Sequence, residues 1–581
     1  MAREPARPPL PESNASQLAG WWHEAELARD AGQLPRARRF LRWILAANPG
    51  EEEAWLELAR LATGDRERFA YLRQAYVFHP ESARVQLAMR QASDRHLRTQ
   101  VNGLQARQGL PHCLPNLRGR VPPDGSRAPG RRFRASDPLL MAEKNPFWPI
   151  RVPSFLLRLD GAAWLAFLLP LAVYLATACR TVYNLDSAEF SAAVHVLGIV
   201  RATGYPLYLL LGKAFAILLP VGDVAFRLNV MSALCGAGTV VLLYHLARRL
   251  VGMRAAALAA ALLFGFSYYF WAQAVVAEVY TLHTLLLCAL LLLLLHWESR
   301  RADGLLAAAS LLYGLSLGNH LSSILVAPGL VAFVLAVGGR EVLAPRRLLV
   351  LACLFFAGLG VYAYLPLRYL ATPAFNYAGH YDGAGQFVPL DLTRLENLWW
   401  LVSGQGFREL MLGYTPAETV AEVGATLHRL WGAFLGVGLL PGLVGAWAQG
   451  RRQPRILLLL GLTFVANVAF YTTYRVVDKA SMFVPAYLIW AVWIAEGCAW
   501  IAGWLQEQRA GARTPSPAWT WLLVLLALAA LLLNGPLVNV RDDTRARDRA
   551  EAILQSAGPE CIVFGWWASA PPVQYLQLVE G

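Results

Sequence analysis

Apolar runs of roughly helical-span length recur from Gly161 onward, separated by short turns that carry Arg, Asp and Pro. About 20 apolar residues let an α-helix cross the hydrocarbon layer of a bilayer. The pattern therefore predicts spans at 161–179, 227–247, 255–271, 275–295, 304–318, 321–337, 348–366, 430–448, 456–472, 482–504 and 518–534. With the residues before the first run placed in the cytosol, each successive turn can be assigned a side. Arg248, Arg249 and Arg254, then Arg300 and Arg301, then Arg340, Arg346 and Arg347, then Arg451, Arg452 and Arg455, then Arg509 and Arg513 all fall inside. That agrees with the cationic bias of cytoplasmic loops. The expectation is an all-α polytopic membrane protein of the cell (inner) membrane, with about eleven transmembrane helices, its N-terminus cytoplasmic and its C-terminus extracytoplasmic.

The remainder of the chain divides by composition. Residues 1–100 read as a cytoplasmic helical region: Trp21 and Trp55 lie 34 apart, with small residues at similar offsets (Ala25 and Ala28; Ala59 and Ala62) and Pro49 and Pro80 closing the two units. This is the period of tetratricopeptide hairpins. A generic helical bundle is the alternative, and repeat-like helices would offer a surface to a protein partner. Residues 101–150 form a basic linker rich in Pro, Gly and Arg ("RGRVPPDGSRAPGRRFR"), suited to an anionic inner leaflet. Residues 151–540 are the transmembrane domain and 541–581 an extracytoplasmic segment. The opening "MAREPARPPLPESNAS" has no apolar core, so the first span is expected to do the targeting.

Composition sharpens the picture at two points. The chain is 56% hydrophobic and 16% charged, with a mean hydropathy of +0.39, which places it among membrane proteins. Its net charge of +13 would suggest nucleic acid in a soluble protein, but the Arg residues gather beside apolar runs, so nucleic acid is set aside. The seven cysteines, at 113, 179, 235, 288, 353, 498 and 561, show no paired spacing, so neither a disulfide framework nor a zinc site is supported, and the spacing leaves a divalent metal requirement open. No cofactor is expected either.

Against this background the polar residues stand out, and by the predicted topology they share the outer side. "NLDSAEFSAAV" places Asp186 and Glu189 directly after the first span; a helix there would bring both carboxylates to one face. The segment "YPLYLLLGKAFAILLP", which begins at Tyr205, is too short for a comfortable span and reads as an interfacial or re-entrant helix. Glu278 and His283 lie near the outer start of the fourth span, Asn319 and His320 in the turn after the fifth, and Arg368 where the seventh exits. Arg475, Asp478 and Lys479 fall between the ninth and tenth, and residues 367–429 form a long outer segment. Ionisable groups at membrane depth are costly and usually line a cavity. Each also has a plainer role: idle loop acids for Asp186 and Glu189, a bundle ion pair for Glu278, hydrogen-bonded core or turn residues for the histidines, a lipid contact for Arg475.

The series "DSAEFSAAVHVLG", "GYPLYLLLGKAF", "GDVAFRLNVMSAL", "QAVVAEVYTLH", "GNH", "YLPLR" and "DKASMFVPAY", with the tail "FGWWASAPPVQYLQLVEG", resembles a family of multispanning membrane proteins formerly of unknown function and related to protein O-mannosyltransferases of the C-type glycosyltransferase fold. The resemblance implies transfer of a sugar from a polyprenyl-phosphate donor to an extracytoplasmic acceptor, a protein hydroxyl or a glycan. It implies Asp186 and Glu189 at the catalytic centre. Chemistry adds Arg368, Arg475 and Lys479 as cations for the departing phosphate, with Tyr205, Glu278, His283, Asn319, His320 and Asp478 supporting the pocket. Two departures stand out. Arg201, Ala202 and Thr203 replace the family's usual His-Pro-Pro, and "NYAGHYD" replaces its Asn-Trp-Gly-Asp element. The rival function is a transporter or flippase of a lipid-linked sugar, which predicts related halves and polar sites at the midplane; an inactive scaffold is a third.

Overall fold

The computed structural model describes residues 15–48, 50–79, 82–88, 160–381, 387–476, 479–508, 517–557, 565 and 567–581. The basic linker and Asp478 lie outside them. The chain divides into two compact units, 1–129 and 130–581. In the first, helices α1 (Ala15–Asp30), α2 (Leu34–Ala47), α3 (Glu52–Arg60) and α4 (Asp65–Phe78) pack in chain order: α1 on α2, α2 on α3 and α3 on α4. Trp21 and Trp55, the residues that set the 34-residue spacing, both pack on the core built by Ala25, Leu41, Ile44 and Leu58.

The second unit is a helical bundle with one two-stranded ribbon. Its helices are α5 (Gly161–Thr177), α6 (Asp186–Val196), α7 (Pro206–Leu218), α8 (Val224–Val251), α9 (Arg254–Gly265), α10 (Tyr268–Ala274), α11 (Tyr280–Arg300), α12 (Asp303–Asn319), α13 (Ala327–Gly338), α14 (Pro345–Leu359) and α15 (Tyr364–Leu370). The antiparallel strands β1 (Gly379–Tyr381) and β2 (Phe387–Pro389) follow. After them come α16 (Leu395–Val402), α17 (Pro416–Ala433), α18 (Leu439–Arg452), α19 (Pro454–Thr473), α20 (Val484–Gln508), α21 (Pro517–Val538), α22 (Arg545–Ser556) and α23 (Ala570–Tyr575).

Six helical stretches among the described residues are long and apolar enough to cross a membrane: Val224–Val251, Tyr280–Arg300, Leu321–Leu343, Pro345–Leu370, Pro454–Thr473 and Lys479–Gln506. The pair α9 and α10 makes a seventh if its 67° bend is one broken span. The expected span at 430–448 is not a single helix. It straddles a break at 434–438, where Leu435 and Gly436 take positive φ values of 54° and 74° that a continuous α-helix excludes. The expected span at 275–295 begins later, at Tyr280, which leaves Glu278 in the turn before α11.

Different contacts hold the two ends of the bundle. At one end Arg254 meets Asp160 at 3.6 Å, Arg249 donates to the Leu295 carbonyl at 2.9 Å, and Arg347 pairs with Asp303 at 2.9 Å. At the other, Asp223 caps α8 by accepting from Phe226 N at 2.7 Å and takes the Thr181 hydroxyl at 2.8 Å. Asn229 ties α8 to the Cys179 carbonyl there, and Val540 N returns to the Thr177 carbonyl. Helices α6 and α7 and the tail α22 and α23 gather at this second end.

Glycine lets the apolar helices approach. Helices α18 and α20 are in such close contact that a Cβ at Gly445 would sit 1.8 Å from the Trp493 carbonyl oxygen, and one at Gly497 would sit 1.9 Å from that of Pro441. Between lipid-embedded helices, packing of this kind supplies much of the association that the hydrophobic effect supplies in water. Gly445→Ala and Gly497→Ala should each destabilise the protein by about 1–3 kcal/mol, the usual cost of overpacking. Gly461→Ala, whose Cβ meets nothing nearer than 3.8 Å, should be neutral. Thermal unfolding in detergent checks this: equal midpoints for all three variants would show that the α18–α20 contact is not tight.

Candidate active site

Helix α6 is short and held in an unusual way at both ends. Leu185, just before it, has φ 54°, and Leu197, just after it, has φ 51°. Each non-glycine residue in such a conformation costs of order 1–3 kcal/mol and persists only when its surroundings hold it. At the C-terminal end the holder is Arg368 on α15, whose Nε donates to the Leu197 carbonyl at 2.6 Å and whose Nη2 donates to that of Val196 at 3.2 Å. A cation there also complements the helix dipole, as do Asp186 and Glu189 in the first turn.

The two acids share one cation. Arg201 Nη1 donates to Glu189 Oε2 at 2.8 Å, its backbone N donates to Glu189 Oε1 at 2.9 Å, and Nη2 contacts Asp186 Oδ2. Glu189 is fully buried, whereas the Asp186 side chain keeps 22% of its exposure. Burial pushes the Glu189 carboxyl up to about 7; the Arg201 charge opposes that rise and the neighbouring Asp186 charge adds to it. Burial alone would lower the Arg201 guanidinium, but the two carboxylates outweigh it and hold the group more firmly protonated than usual. The result is one carboxylate fixed inside and one presented to the surface.

Asp186 has a second partner from far along the chain. Trp567 Nε1 donates to Asp186 Oδ1 at 2.9 Å, and the Arg201 guanidinium lies 4.5 Å from the centre of the indole. Tyr377 packs on that indole with ring centres 5.4 Å apart and bonds Gln574 through its hydroxyl. The segment 367–429 is brought here by backbone pairing: Ile199 N donates to the Phe375 carbonyl and Tyr377 N to that of Ile199. Helix α23 packs on α6, and Ala225 N donates to the Tyr575 hydroxyl at 3.2 Å.

From the acids an aromatic floor runs toward α11 and α12. Phe190 on α6 meets the Tyr205 ring edge-on at 5.3 Å, Tyr205 meets His320 at 5.9 Å, and His320 meets Tyr280 and His283 at 5.4 Å each. The histidines are tied to the turn after α12: Ser322 Oγ lies 2.7 Å from His320 Nδ1 and 3.3 Å from His283 Nε2. Buried Asn319 donates to the Val279 carbonyl at 3.2 Å. Glu278 lies close enough for its charge to act on the hydroxyls of Tyr205, Tyr208 and Tyr280. Tyr280 in turn bonds Ser481, which leads to the last group of cations.

Those cations are engaged to different degrees. Lys479 is 2% exposed and pairs with Glu422 at 3.0 Å, while also donating to the Tyr414 hydroxyl and the Tyr474 carbonyl at 3.1 Å. Arg475 is 53% exposed and more loosely held, 3.4 Å from Glu418 and 3.3 Å from the Gly413 carbonyl. The structure thus brings Asp186, Glu189, Tyr205, Glu278, His283, Asn319 and His320 into one neighbourhood, with Lys479 and Arg475 beyond its Tyr280 edge and Arg368 at the far end of α6. Arg201 and Trp567 are the site members the sequence reading did not assign. The signal for Arg201 was the departure from His-Pro-Pro; Trp567 stood in the quoted tail but carries no spacing that points to Asp186.

Glu189 makes stability depend on pH. Its folded value of about 7 exceeds the ordinary carboxyl value of 4.5, so its contribution is full below pH 4.5 and is lost as pH rises through 7. Glu189→Gln should flatten the curve of unfolding midpoint against pH from 4.5 to 7.5. A wild-type curve that is already flat there would mean that Arg201 keeps Glu189 ionised throughout.

A match to a known family falls on this region. Residues 186–341 match the family model described as the N-terminal domain of the protein O-mannosyl-transferase TMEM260. The mouse protein O-mannosyl-transferase TMEM260 is 34% identical over 201 residues, covering 34% of this chain and 29% of the mouse protein. The Dictyostelium discoideum protein O-mannosyl-transferase tmem260 is 27% identical over 130 residues, covering 22% of this chain and 16% of that protein. The chain thus matches less than a third of the length of these relatives. Among solved structures, that of ArnT from Cupriavidus metallidurans bound to undecaprenyl phosphate aligns with a TM-score of 0.49 at 16% identity, covering 72% of this chain and 85% of that one. The matched segment opens at Asp186 and includes Glu189, Arg201, Tyr205, Glu278, His283, Asn319 and His320, so the acid cluster lies in a segment similar to the N-terminal domain of protein O-mannosyl-transferases.

Proposed function

We propose that this chain is a membrane glycosyltransferase of the C-type architecture that moves a sugar from a polyprenyl-phosphate donor to a hydroxyl acceptor on the extracytoplasmic side. The observation that carries the reading is a partly exposed carboxylate, Asp186, fixed in the first turn of α6 beside a buried acid by one shared arginine, in the segment that matches the O-mannosyl-transferase domain. The acceptor oxygen attacks the anomeric carbon, its proton passes to Asp186, and the bond from that carbon to the phosphate oxygen breaks, so the polyprenyl phosphate leaves with the electron pair. A carboxylate within reach of the hydroxyl supports this step as general base. Glu189, out of reach of substrate, holds Arg201 and through it the orientation of Asp186.

The departing phosphate needs positive charge. Of the three cations expected there, Arg475 is the most exposed, which supports it as the contact for a phosphate. Lys479 adds its charge from within its pair with Glu422, and Arg368 acts on the site through the carbonyls of α6. Exposed apolar residues on α7, among them Leu210, Leu211, Ile217 and Leu218, offer a surface to a prenyl chain. The helical region before the linker is the proposed contact for a protein partner.

Purified protein supplied with a panel of prenyl-phosphate sugars, mannose first, should release prenyl phosphate only when acceptor is present. Asp186→Asn should lower transfer by about 10² or more while donor binding survives, and Glu189→Gln should cost less. If Glu189→Gln abolishes transfer and Asp186→Asn does not, the two roles are exchanged. Turnover with no sugar lipid, together with sugar-lipid movement across liposomes, would support the transporter instead. Sidedness is separately testable. In a background without native cysteines, Leu395→Cys near the acid end should react with an impermeant thiol reagent in intact cells, and Leu343→Cys near the Arg end only after permeabilisation. The opposite pattern would invert the topology.

A further inference from the structure

We infer that Trp567, in the C-terminal tail, is a positioning residue of the active site: its indole N–H and ring, acting together with Arg201, set the orientation of the Asp186 carboxylate for proton transfer. The inference rests on the reading of Asp186 as the base. Three contacts carry it. The indole Nε1 donates to Asp186 Oδ1 at 2.9 Å, the Arg201 guanidinium stands 4.5 Å over the same indole, and that guanidinium also takes Asp186 Oδ2 and Glu189 Oε2. Each oxygen of Asp186 is therefore gripped from one side by a donor of fixed direction. The two donors in turn brace each other, since a cation over an indole face is attracted to it. A carboxylate oxygen keeps capacity for a further hydrogen bond when it accepts one, so both remain able to receive a proton while the side chain is held in one rotamer.

The indole is itself held in place from outside α6. Tyr377 of the long outer segment packs on it at 5.4 Å and bonds Gln574 on α23; α23 packs on α6; and Tyr575 accepts from Ala225 N at the start of α8. The tail is joined a second time through Arg547, which bonds Thr181 Oγ1 at 3.0 Å and Glu580 Oε1 at 2.9 Å. A tail that served only to cover the bundle end would need none of the polar contact to Asp186. Orientation is where the consequence falls: a general base displaced by a fraction of an ångström loses rate without losing affinity for the donor.

The test separates that role from simple packing. Trp567→Phe keeps an aromatic ring beside Arg201 and removes the N–H. With a mannosyl-phosphoryl polyprenol as donor and a serine- and threonine-containing peptide as acceptor, it should lower kcat about tenfold while leaving donor KM and the thermal midpoint unchanged. In the Asp186→Asn background the same change should cost less than twofold, because the carboxylate it orients is gone. An unchanged kcat in Trp567→Phe, or a fall in kcat accompanied by matching shifts in KM and midpoint, would overturn the inference. If Asp186→Asn loses transfer but Trp567→Phe does not, the base stands and Trp567 alone is demoted. If Asp186→Asn transfers normally, the base assignment fails and the role of Trp567 fails with it.

Discussion

The shared guanidinium of Arg201 is the contact on which the acid end of the bundle depends. Two carboxylates three residues apart in one helical turn repel each other, and one of them is fully buried. Removing one partner of a buried ion pair typically costs about 3–5 kcal/mol because the other charge is left uncompensated. Arg201 prevents that for Glu189 with a side-chain and a backbone donor, and its Nη2 reaches Asp186. The turn that delivers Arg201 is fixed by Ile199 pairing with Phe375 and Tyr377, so the segment 367–429 contributes to the site through backbone as well as through Tyr377.

Much of this was legible in the sequence, for identifiable reasons. Apolar runs long enough to span show directly in the order of residues, and most of the expected spans have a helix at their place. The helix at Asp186 fits the polar turn before it, the alanines at 188, 192 and 193, and the lack of Gly or Pro before Gly198, so the common face of the two acids could be expected. The clustering of polar residues at one end follows from counting turns. What stayed hidden was partnership. Arg201, Arg368 and Lys479 are equivalent as letters, yet one clamps the acids, one caps the C-terminus of α6, and one is paired in a buried site with Glu422. A sequence states which charges exist; only packing states which are already engaged.

The remaining misses share that character. The break between α17 and α18 rests on Leu435 and Gly436 at positive φ, and leucine gives no warning of such a conformation, so the apolar run at 430–448 reads as continuous. Trp567 is 381 residues from Asp186 in sequence. No periodicity links positions that far apart, whereas Arg201 follows Asp186 by 15 residues, in the turn just beyond α6. The one hint at Arg201 was an irregularity, a cation standing where the resembled family usually has His-Pro-Pro. A substitution of that kind in a charged turn asks which acid it answers, and the answer is both.

The difference in burial between the two acids separates their roles under the proposed mechanism. Asp186 and Glu189 are the same chemistry bound to the same cation, but a fully buried carboxyl cannot meet an acceptor, while one with about a fifth of its surface open can. With Arg201 counted, the trio carries a single net negative charge when both acids are ionised, so an incoming phosphate would be repelled at close range. The aromatic floor of Tyr205, His320 and Tyr280 puts distance between that charge and the cations Lys479 and Arg475. In a polyprenyl-phosphate donor the anomeric carbon is bonded directly to a phosphate oxygen, so under the proposed mechanism the base and the phosphate must come together in one small space, and the Arg201 guanidinium held against Asp186 supplies positive charge there.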